Sequence, residues 1–200
     1  MNARVLDVSQ LPPGAFGHRS LMWWGTFGLV LIEGTAFALA IGIYLYLWSH
    51  APEWPPGHTA PPRLLWGTLN TVILLASAIP NQLTKKAAER VDLRGSQRWL
   101  LVSLAFGVAF NVVRVFEFPA LNVKWNQDAY GSIVWLLLGL HTTHIVTDVI
   151  DSAVLAVLML VGPIEERRFV DVAENSVYWY FVVLTWLPIY ALLYWAPRIL

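Results

Sequence analysis

The sequence contains no cysteine and few charged residues. Without cysteine the chain has no disulfide framework, no thiolate metal site and no redox-active thiol. Charged residues make up 13% of the 200 residues, hydrophobic residues make up 57%, and the mean hydropathy is +0.56. Soluble domains carry about 25% charged residues. The composition therefore indicates a membrane protein.

Signals of several other protein classes are also missing. The first twenty residues contain neither an apolar core nor a small-residue cleavage pattern, so we expect no cleaved signal peptide. No internal repeat is evident, which disfavours an inverted-repeat transporter. Glycine-rich phosphate loops and nucleophile motifs are absent. We expect no nucleic-acid partner.

Five apolar stretches are each long enough to cross a bilayer, which takes about 20 residues at 1.5 Å per residue. The 11 tryptophans and seven tyrosines fit a membrane location, because their rings favour the membrane–water interface. We predict an all-α integral membrane bundle of five transmembrane helices, one domain over residues 1–200 with a short cytoplasmic tail at 1–20. The predicted spans are 21–48, 64–83, 99–118, 131–161 and 176–195.

Lysine and arginine are distributed unequally between the two sides of this bundle. Only Arg63, Lys124 and Arg198 lie on one side. The positive-inside rule then predicts a multi-pass protein with a cytoplasmic N-terminus and an external C-terminus. The residues on the basic side are Arg4, Arg19, Lys85, Lys86, Arg90, Arg94, Arg98, Arg167 and Arg168.

Small residues four apart predict where helices pack closely in a membrane. The candidate ridges are Gly34, Ala38 and Gly42 in the first span, and either Ser103 and Gly107 or Ala105 and Ala109 in the third.

Nine polar residues within the predicted spans are unusual for a membrane interior. A charged group at that depth costs several kcal/mol unless it is paired. These side chains are therefore expected to form an intramembrane polar network that faces protein or water. Arg114 and Glu117 are three residues apart and can pair within their own helix. The nine are Glu33, Asn70, Asn111, Arg114, Glu117, His141, His144, Asp148 and Asp151.

Four of these residues, in the fourth span, share one helical face. His141, His144, Asp148 and Asp151 are separated by three, four and three positions. Two imidazoles and a carboxylate on one face are able to bind a divalent metal ion, with Glu33 as a fourth ligand. The alternatives are a hydrogen-bonded network between helices, a proton relay or a contact with lipid headgroups.

Glu33 lies about 12 residues into the first span and therefore near the middle of the membrane. A lone carboxyl at that depth is expected to be partly or wholly protonated at neutral pH. It either handles protons or donates a structural hydrogen bond to a backbone carbonyl or a histidine.

Six motifs follow one another along the chain. They are IEGTAFALA around Glu33, EWPP from Glu53, NTVILLASA from Asn70, YGS from Tyr130, GLHTTHIV around His141 and YWYFVVLTW from Tyr178. In their order and spacing these motifs resemble subunit III of the haem-copper oxidases, the cytochrome c oxidase subunit III family. The resemblance covers nearly all of residues 23–195 and includes the aromatic last helix.

The resemblance implies the short five-helix bacterial form of a subunit that contains no active site, metal or cofactor itself. Haem and copper are then expected in partner subunits, and phospholipid is a candidate ligand. The family's subunit packs on subunit I, supports proton uptake and protects the oxidase from inactivation during turnover. Glu33 falls on the family's carbodiimide-reactive carboxylate, and His141 and His144 on its His-x-x-His pair.

The sequence departs from the family at several positions. The family commonly has His-Phe-Val-Asp where this chain has Tyr180, Phe181, Val182 and Val183, and Glu174 is displaced by one position from the family's glutamate. The lipid-filled cleft that the long form builds with its first two helices is expected to be absent or filled by another subunit.

We therefore expect a non-catalytic subunit of a proton-translocating terminal oxidase in the bacterial plasma membrane. Its partners are expected to be subunit I, the other oxidase subunits and membrane lipids. A quinol oxidase or nitric oxide reductase component is the near alternative. An independent membrane metalloenzyme that uses Glu33, His141, His144 and Asp148 is the alternative from a different class.

Overall fold

The computed structural model describes residues 16–199, which form a helical bundle. Most of the predicted tail at 1–20 therefore lies outside the described residues. Five helices are long and apolar enough to cross a membrane, which confirms the predicted all-α five-helix fold. Which side of the membrane the N-terminus occupies stays a prediction. The helices are α1 (Leu21–His50), α2 (Leu64–Glu89), α3 (Leu93–Glu117), α4 (Ala129–Val161) and α5 (Glu166–Tyr190).

On the side where α1 begins, helices α2, α3 and α5 extend beyond the predicted spans. Between α2 and α3 only residues 90–92 are non-helical, where a loop over 84–98 was expected. Asp92 begins α3 as its N-cap, with its carboxylate accepting a hydrogen bond from the Gly95 amide at 3.1 Å. Helix α5 likewise begins at Glu166, well before residue 176. Hydropathy detects only the part of a helix that crosses lipid, so the polar helix ends were missed.

On the opposite side, the proline-rich connection 51–63 packs against the turn that follows α3. The Arg63 amide donates to the Ala120 carbonyl at 3.0 Å, and the Asn122 side chain donates to the Pro61 carbonyl at 3.0 Å. The Trp54 indole donates to the Tyr44 hydroxyl at 3.1 Å. These bonds hold the connection against the bundle.

Helices α4 and α5 occupy the centre of the bundle. Helix α4 packs on α1, α3 and α5, and α5 packs on α1, α2 and α4. The main core includes Phe110, Leu137 and Trp186, all fully buried. Helix α1 lies at the periphery, where its buried residues are Phe37, Ala40 and Tyr44.

Only one of the predicted small-residue ridges makes a close helix contact. Ala38 is exposed, and nothing lies within 4 Å of the Cβ position of Gly42, because α1 packs through its Phe37 face instead. In α3, Ser103 and Gly107 are buried. A Cβ atom at Gly107 would lie 2.6 Å from Cγ2 of Val149. The α3–α4 packing thus requires glycine at position 107.

We predict that Gly107→Ala destabilises the bundle, because the added methyl overpacks the α3–α4 contact at a cost of about 1–3 kcal/mol. The thermal unfolding midpoint in detergent should fall by several degrees, at roughly 2–4 °C per kcal/mol. Gly139→Ala in α4 is the matched control, since no heavy atom lies within 4 Å of its Cβ position. Equal midpoints for the two variants would contradict the close approach of α3 and α4.

Candidate functional site

The predicted polar residues separate into three clusters, each recruiting partners from other helices. Asn111 joins none of them, because its amide donates to the Gly107 carbonyl of its own helix at 3.0 Å. We name the Arg114 cluster (Asn70, Arg114, Glu117, His141, Tyr194), the Glu33 cluster (Glu33, His144, Tyr178) and the Asp148 cluster (Asp148, Asp151, Ser152, Asn175).

A buried ion pair forms the centre of the Arg114 cluster. Nη1 of Arg114 donates to Oε2 of Glu117 at 2.8 Å, which confirms the predicted pairing within α3. Glu117 also accepts hydrogen bonds from the Asn70 amide and the Tyr194 hydroxyl. Arg114 is 1% exposed and Glu117 is 0% exposed. Protein donors therefore satisfy the Glu117 carboxylate, whereas Nε of Arg114 has no hydrogen-bond partner within residues 16–199.

Aromatic rings cover the Arg114 guanidinium. Its Cζ lies 4.5 Å from the centroid of Phe110 and 4.4 Å from that of Trp186. Such cation–π contacts are strongest where water is excluded. The rings thus stabilise a charge that the bilayer interior would otherwise disfavour.

His141 connects this cluster to α5. Its Nδ1 accepts from Nη2 of Arg114 at 3.3 Å, and its Nε2 donates to the Val182 carbonyl at 3.0 Å. Because Arg is a donor only and a carbonyl is an acceptor only, these partners select the neutral tautomer with the proton on Nε2. Both ring nitrogens are thereby occupied, and His141 is unsuited to metal ligation.

The Glu33 cluster joins α1 to α4 and α5. The Tyr178 hydroxyl donates to Oε2 of Glu33 at 2.6 Å, and Nε2 of His144 lies 3.6 Å from the same oxygen. His144 Nδ1 donates to the Leu140 carbonyl at 2.6 Å, so its Nε2 is left facing the carboxyl.

In the Asp148 cluster two carboxylates share one amide group. Nδ2 of Asn175 donates to Asp148 at 2.9 Å and to Asp151 at 3.2 Å. The Ser152 hydroxyl donates to Oδ1 of Asn175 at 3.0 Å, which directs the amide nitrogen toward the carboxylates. Asp148 is 3% exposed.

The four polar residues of α4 that align in the sequence thus contact different partners. His141 faces Arg114, His144 faces Glu33, and Asp148 and Asp151 face Asn175. Within residues 16–199 no group of three or more histidine and carboxylate side chains is arranged to hold a metal ion. The geometry therefore gives no support to the metal alternative.

Sequence reasoning missed the partners on α5 and on the C-terminal turn, the helical segment Ala191–Trp195 that follows α5. Tyr178 lies 145 positions from Glu33, and Tyr194 lies 77 positions from Glu117. The sequence places the Tyr194 ring at the membrane–water interface. In the structure Tyr194 is 1% exposed, and its hydroxyl donates a hydrogen bond to Glu117 of the buried ion pair. No local pattern in the sequence relates residues so far apart.

A cleft of about 590 Å³ opens between α1, α4 and α5, beside the Glu33 cluster. Apolar side chains such as Leu29 and Leu158 line part of it. Its ionisable and polar lining comprises Thr26, Glu33, Thr147, Asp148, Asp151, Arg167, Arg168, Asp171, Glu174, Asn175 and Tyr178. The cleft lies toward the end of the bundle where α1 and α5 begin.

Sequence comparisons relate the chain to one family. A model of cytochrome c oxidase subunit III matches residues 50–197. The cytochrome c oxidase subunit 3 of Synechocystis is 27% identical over 195 residues, which cover 94% of this chain and 83% of the relative.

Other relatives carry similar names. The cytochrome c oxidase subunit 3 of Thermostichus vulcanus is 25% identical over 193 residues, 92% of each chain. A probable cytochrome c oxidase subunit 3 of Nocardia farcinica is 28% identical over 145 residues, 71% of each chain. Together with the five membrane-spanning helices, the match over residues 50–197 shows that this chain belongs to the cytochrome c oxidase subunit III family, in its five-helix form.

Proposed function

We propose that this chain is the non-catalytic subunit III of a respiratory haem-copper terminal oxidase of the cytochrome c oxidase type. It packs on subunit I in the bacterial plasma membrane, supports proton uptake and stabilises the oxidase during turnover. The family match over residues 50–197 carries this proposal. Haem and copper belong to the partner subunits, and phospholipid binds at the lipid-facing surface.

The chemistry of the buried groups supports a non-catalytic role. Both nitrogens of His141 are occupied by protein groups, and His144 uses Nδ1 within its own helix. The outward faces of the helices are apolar, with exposed residues such as Val112, Ile150 and Leu184. Such faces suit contact with lipid and with the helices of a membrane partner.

The N-terminus lies on the cytoplasmic side in this proposal. The turn between α2 and α3 and the connection between α4 and α5 both lie on the side where α1 begins. Lysine and arginine residues are concentrated on that side, as is typical of cytoplasmic loops. The mouth of the cleft then faces the cytoplasm, from which an oxidase takes protons.

The first test is mass spectrometry of the proteins that co-purify with the tagged chain from native membranes in mild detergent. We expect a haem-copper subunit I and its companion subunits in stoichiometric amounts. A chain that emerges alone, or only with copies of itself, would contradict the proposed function.

We predict that Glu33→Gln leaves assembly intact and slows proton uptake severalfold. The glutamine carbonyl still accepts from Tyr178, but it cannot exchange a proton with His144. The measurements are the subunit content of the purified oxidase and proton uptake during turnover. Tyr178→Phe is the matched control, since it removes the hydrogen bond and keeps the carboxyl. An unchanged uptake rate in Glu33→Gln would restrict Glu33 to a structural role.

The Arg114 cluster is proposed to hold α2, α3, α4 and the C-terminal turn in a fixed arrangement. Glu117 accepts hydrogen bonds from three side chains. Glu117→Leu should leave all three donors without their acceptor and lower the free energy of unfolding by roughly 3–5 kcal/mol. Arg114→Met should cost less, since Glu117 keeps the Asn70 and Tyr194 donors. Thermal unfolding in detergent shows which variant loses more stability, with Asn111→Ala as the control. A smaller loss for Glu117→Leu than for Arg114→Met would contradict this scheme.

A further inference from the structure

The two connections on the side where α1 begins differ in charge. Residues 85–98, where α2 meets α3, contain five basic and two acidic residues, a net charge of +3. Residues 165–171, at the start of α5, contain two basic and three acidic residues, a net charge of −1. Positive charge is therefore concentrated at the end of the α2–α3 pair. We name its exposed cations the basic hairpin (Lys86, Arg90, Arg94, Arg98).

The basic hairpin has no counter-charge from the described part of the chain. Within residues 16–199 all ion pairs are formed by other residues. The nearby Asp92 carboxylate already accepts from the Gly95 amide as the N-cap of α3. The first turn of α3 contains Arg94 and no acidic residue, and the helix dipole adds partial positive charge at this end. An external anion is therefore stabilised here.

The cations continue the lipid-facing surfaces of their helices. Ile79 lies seven positions before Lys86 on α2, and Leu101 lies seven positions after Arg94 on α3. Seven residues make almost two helical turns, so the two members of each pair point in nearly the same direction. Ile79 is 67% exposed and Leu101 is 43% exposed. Each cation thus lies at the end of an apolar surface that faces acyl chains.

The cations also lie at the depth of phospholipid headgroups. The apolar parts of α2 and α3 end at residues 83 and 99 on this side. At 1.5 Å per residue, Arg98, Lys86 and Arg94 lie about 1.5, 4.5 and 7.5 Å beyond the hydrocarbon, within a headgroup layer about 5–8 Å thick. Trp99 marks the same boundary, and Cζ of Arg98 lies 5.4 Å from the centroid of its ring.

We propose that the basic hairpin binds the phosphate headgroup of an anionic phospholipid whose acyl chains lie along the outward faces of α2 and α3. The site rests on the membrane location in the proposed function, and it names the headgroup class and the place of the phospholipid contact proposed there. The lipid phosphate supplies the negative charge that the hairpin lacks. The site is separate from the cleft, which α1, α4 and α5 line.

The test measures lipid retention by the purified full-length chain in nanodiscs that contain equal amounts of phosphatidylglycerol and phosphatidylcholine. Native mass spectrometry counts the bound lipids of each class, and the wild type should retain phosphatidylglycerol in excess at low ionic strength. Each cation removed should lower the relative affinity about fivefold, so Arg94→Gln combined with Arg98→Gln should abolish most of the preference. Salt at 1 M should do the same, because it shortens the Debye length to about 3 Å.

Two further variants separate charge from other effects. Arg94→Lys combined with Arg98→Lys keeps both charges and should keep the preference. Arg63→Gln is the matched control, because it removes an exposed arginine at the opposite end of α2 and should leave the preference unchanged. The substituted side chains are all exposed, so the thermal unfolding midpoints of the variants should stay close to that of the wild type.

Equal retention of the two lipids by the wild type, or an undiminished preference in the double glutamine variant, would overturn the lipid site. Competition by soluble glycerol phosphate would also overturn it, in favour of a free anion. Loss of a partner subunit from the double glutamine variant, with its lipid preference unchanged, would overturn it in favour of an acidic protein surface. A chain that prefers phosphatidylglycerol but does not co-purify with oxidase subunits would support the site and contradict the proposed function.

Discussion

Burial of the Arg114 guanidinium is the constraint on which the packing of the bundle depends. A bilayer interior has no water to solvate the charge, so protein groups must do so. Glu117 supplies the opposite charge, Phe110 and Trp186 cover the guanidinium, and His141 accepts a further hydrogen bond. These groups come from α3, α4 and α5, while α2 contributes Asn70 and the C-terminal turn contributes Tyr194. One cation therefore fixes the relative positions of several helices.

The two sides of α4 serve different purposes. Toward α3 and α5 the helix meets the fully buried Arg114 cluster, whose hydrogen bonds from Asn70, His141 and Tyr194 join different parts of the bundle. Toward α1 it borders the cleft, which Glu33, Asp148 and Asp151 line. The bundle thus combines a sealed ionic core with a cleft lined by carboxyl groups.

Helical geometry explains why neighbouring polar residues of α4 have different partners. Three residues advance a helix by about 300°, so His141 and His144 point about 60° apart. Helix α4 packs on α1, α3 and α5, and a rotation of this size is enough to change the neighbouring helix. His141 therefore meets Arg114 of α3, whereas His144 meets Glu33 of α1. Although the sequence pattern places His141 and His144 on one helical face, the two side chains belong to different clusters.

The sequence by itself determined the membrane location, the five helices, the residues that had to be paired and the Arg114–Glu117 bond, because hydropathy and helical spacing are local properties. The motif order also determined the family. Only the tertiary structure decided that Tyr178 and Tyr194 complete the polar clusters and that Asp148 borders a cleft. These contacts join residues far apart in the chain, and their identity depends on how the helices rotate and pack, which no single helix encodes.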